Sequence, residues 1–85
     1  ISMKKLLYFR AYWCNSCKQL DPIMEEISQK GINVQIINID TNQDAADGFN
    51  IRNIPTVVLT IDGVDFGRKV GFNSISKYID LYNQG

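Results

Sequence analysis

The sequence predicts an α/β fold: a minimal βαβ unit, a short helix, a β-hairpin and a closing helix, giving a four-stranded mixed sheet flanked by helices. Three observations carry this expectation. Two short apolar or β-branched runs, Lys5–Phe9 and Ile32–Ile39, bracket a stretch with helical periodicity. An Asp62-Gly63 pair separates two further strand-like runs. A second helical stretch then closes the chain. At 85 residues a single domain over 1–85 is expected, large enough for a modest core and too small for two.

Each element has its own reason. Lys5–Phe9 is short, apolar and bounded by charge, as a buried strand is. From Asn15 to Lys30 the period changes: Leu20, Ile23, Met24 and Ile27 fall at i, i+3, i+4 and i+7, with Lys18, Glu25, Glu26 and Gln29 elsewhere. Gly31 caps that helix at its C-terminus, and Pro22 inside it removes a backbone donor, predicting a kink near Lys18–Pro22. Ile32–Ile39 is β-branched and mostly apolar, the pattern of a second buried strand. Strand, helix and strand make a right-handed βαβ unit with parallel strands. Thr41–Asn50 is polar and reads as a short helix or turn, broken at Gly48. Thr56–Ile61 is a strand, Asp62-Gly63 a hairpin turn, and Val64–Val70 the antiparallel return. Ser74 caps a last helix with Ile75, Tyr78, Ile79 and Tyr82 on one face.

Composition excludes several function classes. The chain is 45% hydrophobic and 21% charged, too apolar for disorder. Nine basic residues balance nine acidic ones, so no electrostatic footprint for nucleic acid or an anionic membrane exists. No apolar run reaches the length of a membrane span. Lys4-Lys5 ahead of Leu6-Leu7-Tyr8-Phe9 mimics a signal peptide only until Arg10. Ile1-Ser2 before Met3 reads as an added remnant, with Met3 as the natural start. A cytoplasmic monomer is the expectation.

Both cysteines lie in one segment, Tyr-Trp-Cys-Asn-Ser-Cys-Lys, residues 12–18. The chain has two cysteines and no histidine, whereas a structural zinc site takes four such ligands. A structural cross-link is poorly served as well. Closing so short a loop contributes roughly 2 kcal/mol, against about 4–5 for a loop near 100 residues. A short loop suits a bond that opens and closes, so a redox dithiol with no metal and no bound cofactor is the leading reading, the non-enzymatic alternative being a binding or metal-sharing module that uses the two cysteines as ligands. Cys14 opens the first helix, where free N–H groups and the dipole favour a thiolate. Cys17 aligns with Leu20, Met24 and Ile27, so it is expected to be the more buried. That asymmetry makes Cys14 the attacking sulfur and Cys17 the resolving one.

Trp13-Cys14-x-x-Cys17-Lys18 after a short apolar strand resembles the thioredoxin family. Further matches run in order to the end of the chain: Pro22, Asn38-Ile39-Asp40, Ile51-Arg52-Asn53-Ile54-Pro55-Thr56 and Val70-Gly71. The resemblance implies a thioredoxin-like fold and a thiol–disulfide oxidoreductase acting on protein disulfides through a mixed disulfide. It implies recharging by a thioredoxin reductase or similar electron donor, with glutathione as the alternative source. It also implies a cis bond before Pro55 and a substrate groove of Trp13, Ile54, Pro55 and the Gly71-Phe72 turn, with Phe72 equally readable as a core aromatic. Glutaredoxin-like chains usually carry Cys-Pro-Tyr-Cys and a Gly-Gly segment, where this one has Asn15-Ser16 and Val70-Gly71-Phe72-Asn73.

Departures from the pattern set further expectations. The extra N-terminal strand and helix of full-length thioredoxins are absent, so the size resembles glutaredoxins and miniature thioredoxins. The buried aspartate usually found six residues before the nucleophile is Tyr8, and its usual lysine partner corresponds to Ile36. Losing both avoids an isolated buried charge but leaves proton transfer at Cys17 to water or an unidentified group, with slower or differently pH-dependent resolution. Arg10 stands where thioredoxins usually have an aromatic, and its simplest reading is a solvated side chain, the other being a positive charge near the thiolate.

Overall fold

Two inner strands set the architecture. The computed structural model describes residues 3–85; the reading of Ile1-Ser2 as a remnant lies outside the described residues. Seven elements follow in order: β1 (Lys4–Arg10), α1 (Asn15–Gln29), β2 (Val34–Asn38), α2 (Gln43–Gly48), β3 (Thr56–Ile61), β4 (Val64–Val70) and α3 (Ile75–Asn83). They form the expected mixed sheet, in the order β2-β1-β3-β4. β1 runs parallel to β2 and antiparallel to β3, and β4 runs antiparallel to β3.

β1 is covered on both faces, which is why its sequence is an unbroken apolar run rather than an alternation. Leu6 and Tyr8 pack with Leu20, Met24 and Ile27 of α1 and Tyr78 and Leu81 of α3. Leu7 and Phe9 point the other way, toward Ile37, Val58 and Ala46 of α2. β2 departs from the expected buried strand. It lies at the sheet edge, where Ile37 is buried but Ile36 is 63% exposed. A β-branched run is equally suited to an edge, and nothing in it reports which strands lie beside it.

The helix ends show how local signals are used. α1 continues through Pro22 as one element, burying Cys17, Leu20, Met24 and Ile27. Its C-terminus closes with Gly31 in the left-handed region, the Gly31 N–H donating to the Ser28 carbonyl at 3.1 Å. In α2 the Asn42 side chain accepts from the Ala45 N–H at 3.3 Å. That helix ends at Gly48, as expected, and two residues later Asn50 takes the left-handed conformation with φ +55°, which asparagine tolerates. Ser74 occupies the N-cap of α3, but its side chain caps no N–H; its Oγ lies 3.1 Å from Ser76 Oγ instead. Tyr78 and Leu81 are the buried residues of α3, while Ile75, Ile79 and Tyr82 pack around them half-buried.

The hairpin turns on Asp62 (φ +54°) and Gly63 (φ +82°), both positive as a type I′ turn requires. A bulge lies opposite Leu59, because Val58 pairs with Arg68 while Thr60 pairs with Asp65. Gly67 in that bulge has φ +137° and backs onto Leu81 of α3 at 3.5 Å from a would-be Cβ. A side chain there would be strained by its backbone alone.

These burial differences give a stability contrast. Leu20→Ala, in the fully buried core, should lower unfolding free energy by about 2–5 kcal/mol. Ile36→Thr at the exposed edge should change it by less than about 0.5 kcal/mol. Urea denaturation followed by circular dichroism measures both; equal losses would contradict the layer assignment.

Candidate active site

β1 delivers the chain to the start of α1, and the turn between them is tied by the Cys14 N–H donating to the Ala11 carbonyl at 3.2 Å. Cys14 is the N-cap of α1, and its Sγ accepts the Cys17 N–H at 3.2 Å. The sulfur thus takes the place a serine or aspartate oxygen holds in an ordinary N-cap. Cys14 is 8% exposed and Cys17 0%, the asymmetry expected from the helical alignment. Both are free thiols, packed with Ala11 against Ile39 and Ile54. Burial pushes the Cys17 thiol up to about 11, helped by its hydrogen bond with Cys14 and the charge there, while the Ala11 backbone and the Arg10 charge pull it down.

The substrate-facing residues expected from the sequence gather around Cys14. The Ile54–Pro55 bond is cis, and the Ile54 carbonyl oxygen is 4.0 Å from Cys14 Sγ. Pro55 in turn accepts the Gly71 N–H at 2.8 Å, so the two loops are bound to each other. Tyr78, fully buried, holds the second loop from below: its hydroxyl donates to the Gly71 carbonyl at 3.1 Å and accepts the Asn73 N–H at 3.0 Å. Trp13 is 65% exposed, with its indole N–H on Asp40 Oδ2 at 2.9 Å. Tyr12 and Phe72 also stand exposed, so Phe72 is not a core aromatic. Among the described residues no group of three His, Cys, Asp or Glu comes together as metal ligands.

The chain matches the thioredoxin family model over residues 2–82. It is 38% identical over 81 residues to a thioredoxin of Rickettsia bellii, covering 92% of this chain and 77% of that protein. Against a thioredoxin of Mycoplasma genitalium the identity is 35% over 77 residues, covering 88% and 76%. Among solved structures, a thioredoxin variant from Halobacterium salinarum superposes with TM-score 0.88 at 32% identity, over 95% of this chain and 73% of that one. The reduced thioredoxin of Schistosoma mansoni gives 0.87 at 29%, over 95% and 77%.

The chain belongs to the thioredoxin family. It is a protein-disulfide oxidoreductase, with the fold expected of that family.

A buried polar network lies at the turn of Cys17. Arg10 is not solvated: it is 8% exposed, and its Nε and Nη2 donate to Asp21 Oδ1 and Oδ2, each at 2.9 Å. Its guanidinium also lies 5.7 Å from the Tyr12 ring centroid. The Tyr8 hydroxyl is 2.8 Å from Asp21 Oδ1 and 2.9 Å from the Cys17 carbonyl oxygen, one hydrogen between two acceptors. Burial first, and then Asp21, keep that phenol protonated well above its ordinary range. Ile36 pairs with Tyr8 in the sheet register but faces solvent at the edge, so the two positions no longer form a buried pair.

Sequence reasoning did not single out Asp21. The signal was present in two pieces: alternation along β1 puts Leu6, Tyr8 and Arg10 on one face, and Asp21 follows Cys17 by one helical turn. Only the packing of α1 on that face joins them.

Removing one member should be felt by the whole fold. Tyr8→Phe and Asp21→Asn should each lower stability by about 1–3 kcal/mol, because partners of a buried guanidinium and a carbonyl go unmet. The half-exposed Asp21 carboxylate keeps the cost below that of a fully buried pair. Guanidinium denaturation of the three proteins measures it; unchanged midpoints would show that the network contributes nothing to folding.

Proposed function

We propose that Cys14 and Cys17 are the reactive dithiol of a reductase of protein disulfides. The observation that carries this is Cys14 at the N-cap of α1, its sulfur facing the Cys17 N–H with the buried second thiol one turn behind. Cys14, as thiolate, attacks one sulfur of a substrate disulfide; an Sγ–S bond forms and the other substrate sulfur leaves with the electron pair and is protonated by water. Cys17 then loses its proton to water and attacks Cys14 Sγ. The Cys14–Cys17 disulfide forms, the mixed disulfide breaks, and the substrate departs as a dithiol carrying two more electrons.

Trp13, Ile54, Pro55 and Gly71 form the docking rim for an extended substrate segment. The Ile54 carbonyl beside Cys14 Sγ supports this role, as does the hydrogen bond joining Pro55 to Gly71. The protein acts as one domain and a monomer in the cytoplasm, and a thioredoxin reductase or similar flavoprotein returns it to the dithiol. Supporting a soluble role, no helix among the described residues is long and apolar enough to cross a membrane.

Insulin reduction by dithiothreitol tests the reading. The protein should accelerate it, Cys14→Ser should abolish the acceleration, and Cys17→Ser should accumulate a mixed disulfide visible by mass spectrometry. Acceleration that survives Cys14→Ser would refute the assignment. Oxidation of NADPH through thioredoxin reductase should couple to turnover; coupling through glutathione alone would reassign the electron source. The reduction potential of the pair should lie near −270 mV for a reductase rather than about −120 mV for an oxidant.

A further inference from the structure

The turn that delivers Cys14 carries two exposed aromatic rings. The Cys14 N–H donating to the Ala11 carbonyl closes a four-residue turn whose corner residues are Tyr12 and Trp13. They are 72% and 65% exposed. Single apolar side chains on a surface are ordinary; two adjacent rings, each fixed by a different partner beside a reactive sulfur, are not. Trp13 is held by its indole N–H on Asp40, just beyond the end of β2. Tyr12 is seated elsewhere: the Arg10 guanidinium carbon lies 5.7 Å from its ring centroid. That guanidinium is itself fixed. Its Nε and Nη2 donate to the two carboxylate oxygens of Asp21, each at 2.9 Å, and the Tyr8 hydroxyl braces the same carboxylate. With its charge engaged in that pair, the guanidinium serves Tyr12 as a flat, immobile surface more than as a free cation.

We propose that Tyr12 is a substrate-docking residue: its ring, seated on Arg10, receives an apolar side chain that flanks the cysteine of the bound protein substrate. The inference rests on the reading of Cys14 as the attacking thiol. Two residues of chain separate Tyr12 from Cys14, so their Cα atoms lie within about 7 Å of each other. A substrate segment joined to Cys14 Sγ in the mixed disulfide therefore passes within reach of the ring. Tyrosine gives a large contact area with few torsions to freeze. A ring already seated on a fixed guanidinium has given up that freedom on folding, so docking against it costs less ordering. A small disulfide with no flanking residues makes no such contact.

The test mixes the reduced full chain with a disulfide and follows the loss of its thiols, once with insulin and once with cystamine. The ratio of the two second-order rate constants isolates docking, because the thiol chemistry is common to both. Tyr12→Ala should lower the insulin-to-cystamine ratio about five-fold, and Tyr12→Phe, which keeps the ring, should preserve it. Arg10→Met, which removes the seat, should lower the ratio about two-fold. Circular dichroism establishes that each variant is folded, and if Arg10→Met is not, Asp21→Asn, which loosens the guanidinium, takes its place. An unchanged ratio in folded Tyr12→Ala overturns the docking role and leaves the dithiol reading intact; an unchanged ratio in the seat variant overturns the seating on Arg10. A Tyr12→Ala defect confined to recharging by thioredoxin reductase overturns the proposal by assigning the ring to the electron donor. Thiol loss in Cys14→Ser as fast as in the unaltered chain overturns the reading beneath it.

Discussion

The structure depends on β1 being buried from both sides, as its inner neighbour β3 also is. Its alternation sends Leu6, Tyr8 and Arg10 under α1 and Leu7 and Phe9 under α2, so this strand contributes to the core of both layers. Because β1 ends where α1 begins, the same strand also fixes where Cys14 emerges. The thiols are therefore held where a buried strand meets a helix rather than on a free loop. A helix start supplies N–H groups that ordinary loops cannot orient, which is what a sulfur about to carry charge needs.

An ion pair placed between sheet and helix would usually be a poor choice for stability, since desolvation offsets much of the attraction. Three features change the balance here. The Arg10–Asp21 contact is two-pronged, Tyr8 meets the carboxylate from inside, and the half-exposed Asp21 keeps part of its hydration. No buried side-chain nitrogen or oxygen among the described residues is left without a partner. The network thus closes around the carbonyl of Cys17 without an orphan group, and joins strand, helix and reactive turn into one unit.

The opposite wall of the site follows similar logic with different parts. The Ile54-Pro55 and Gly71 loops are flexible types of segment, yet each is pinned by backbone hydrogen bonds, and Tyr78 reaches from α3 to hold the second from within. Rigid elements thereby hold these loops beside Cys14, while the Tyr12, Trp13 and Phe72 side chains are exposed.

By itself the sequence determined the elements, their order, the two thiols and their asymmetry, and the resemblance that placed Ile54, Pro55 and Gly71 near them. These are local properties: periodicity, turn residues, and motifs in register along the chain. It did not determine that Ile36 lies at an edge, that Asn50 takes a left-handed conformation, or that Arg10 is buried. Those depend on which surfaces meet. Strand order decides whether a β-branched run is covered, and an arginine is solvated or paired according to what packs above it. Asp21 was one of nine acidic residues with nothing local to mark it. Only the docking of α1 across β1 gave it Arg10 and Tyr8 as neighbours, because a contact between residues distant in sequence exists nowhere but in the fold.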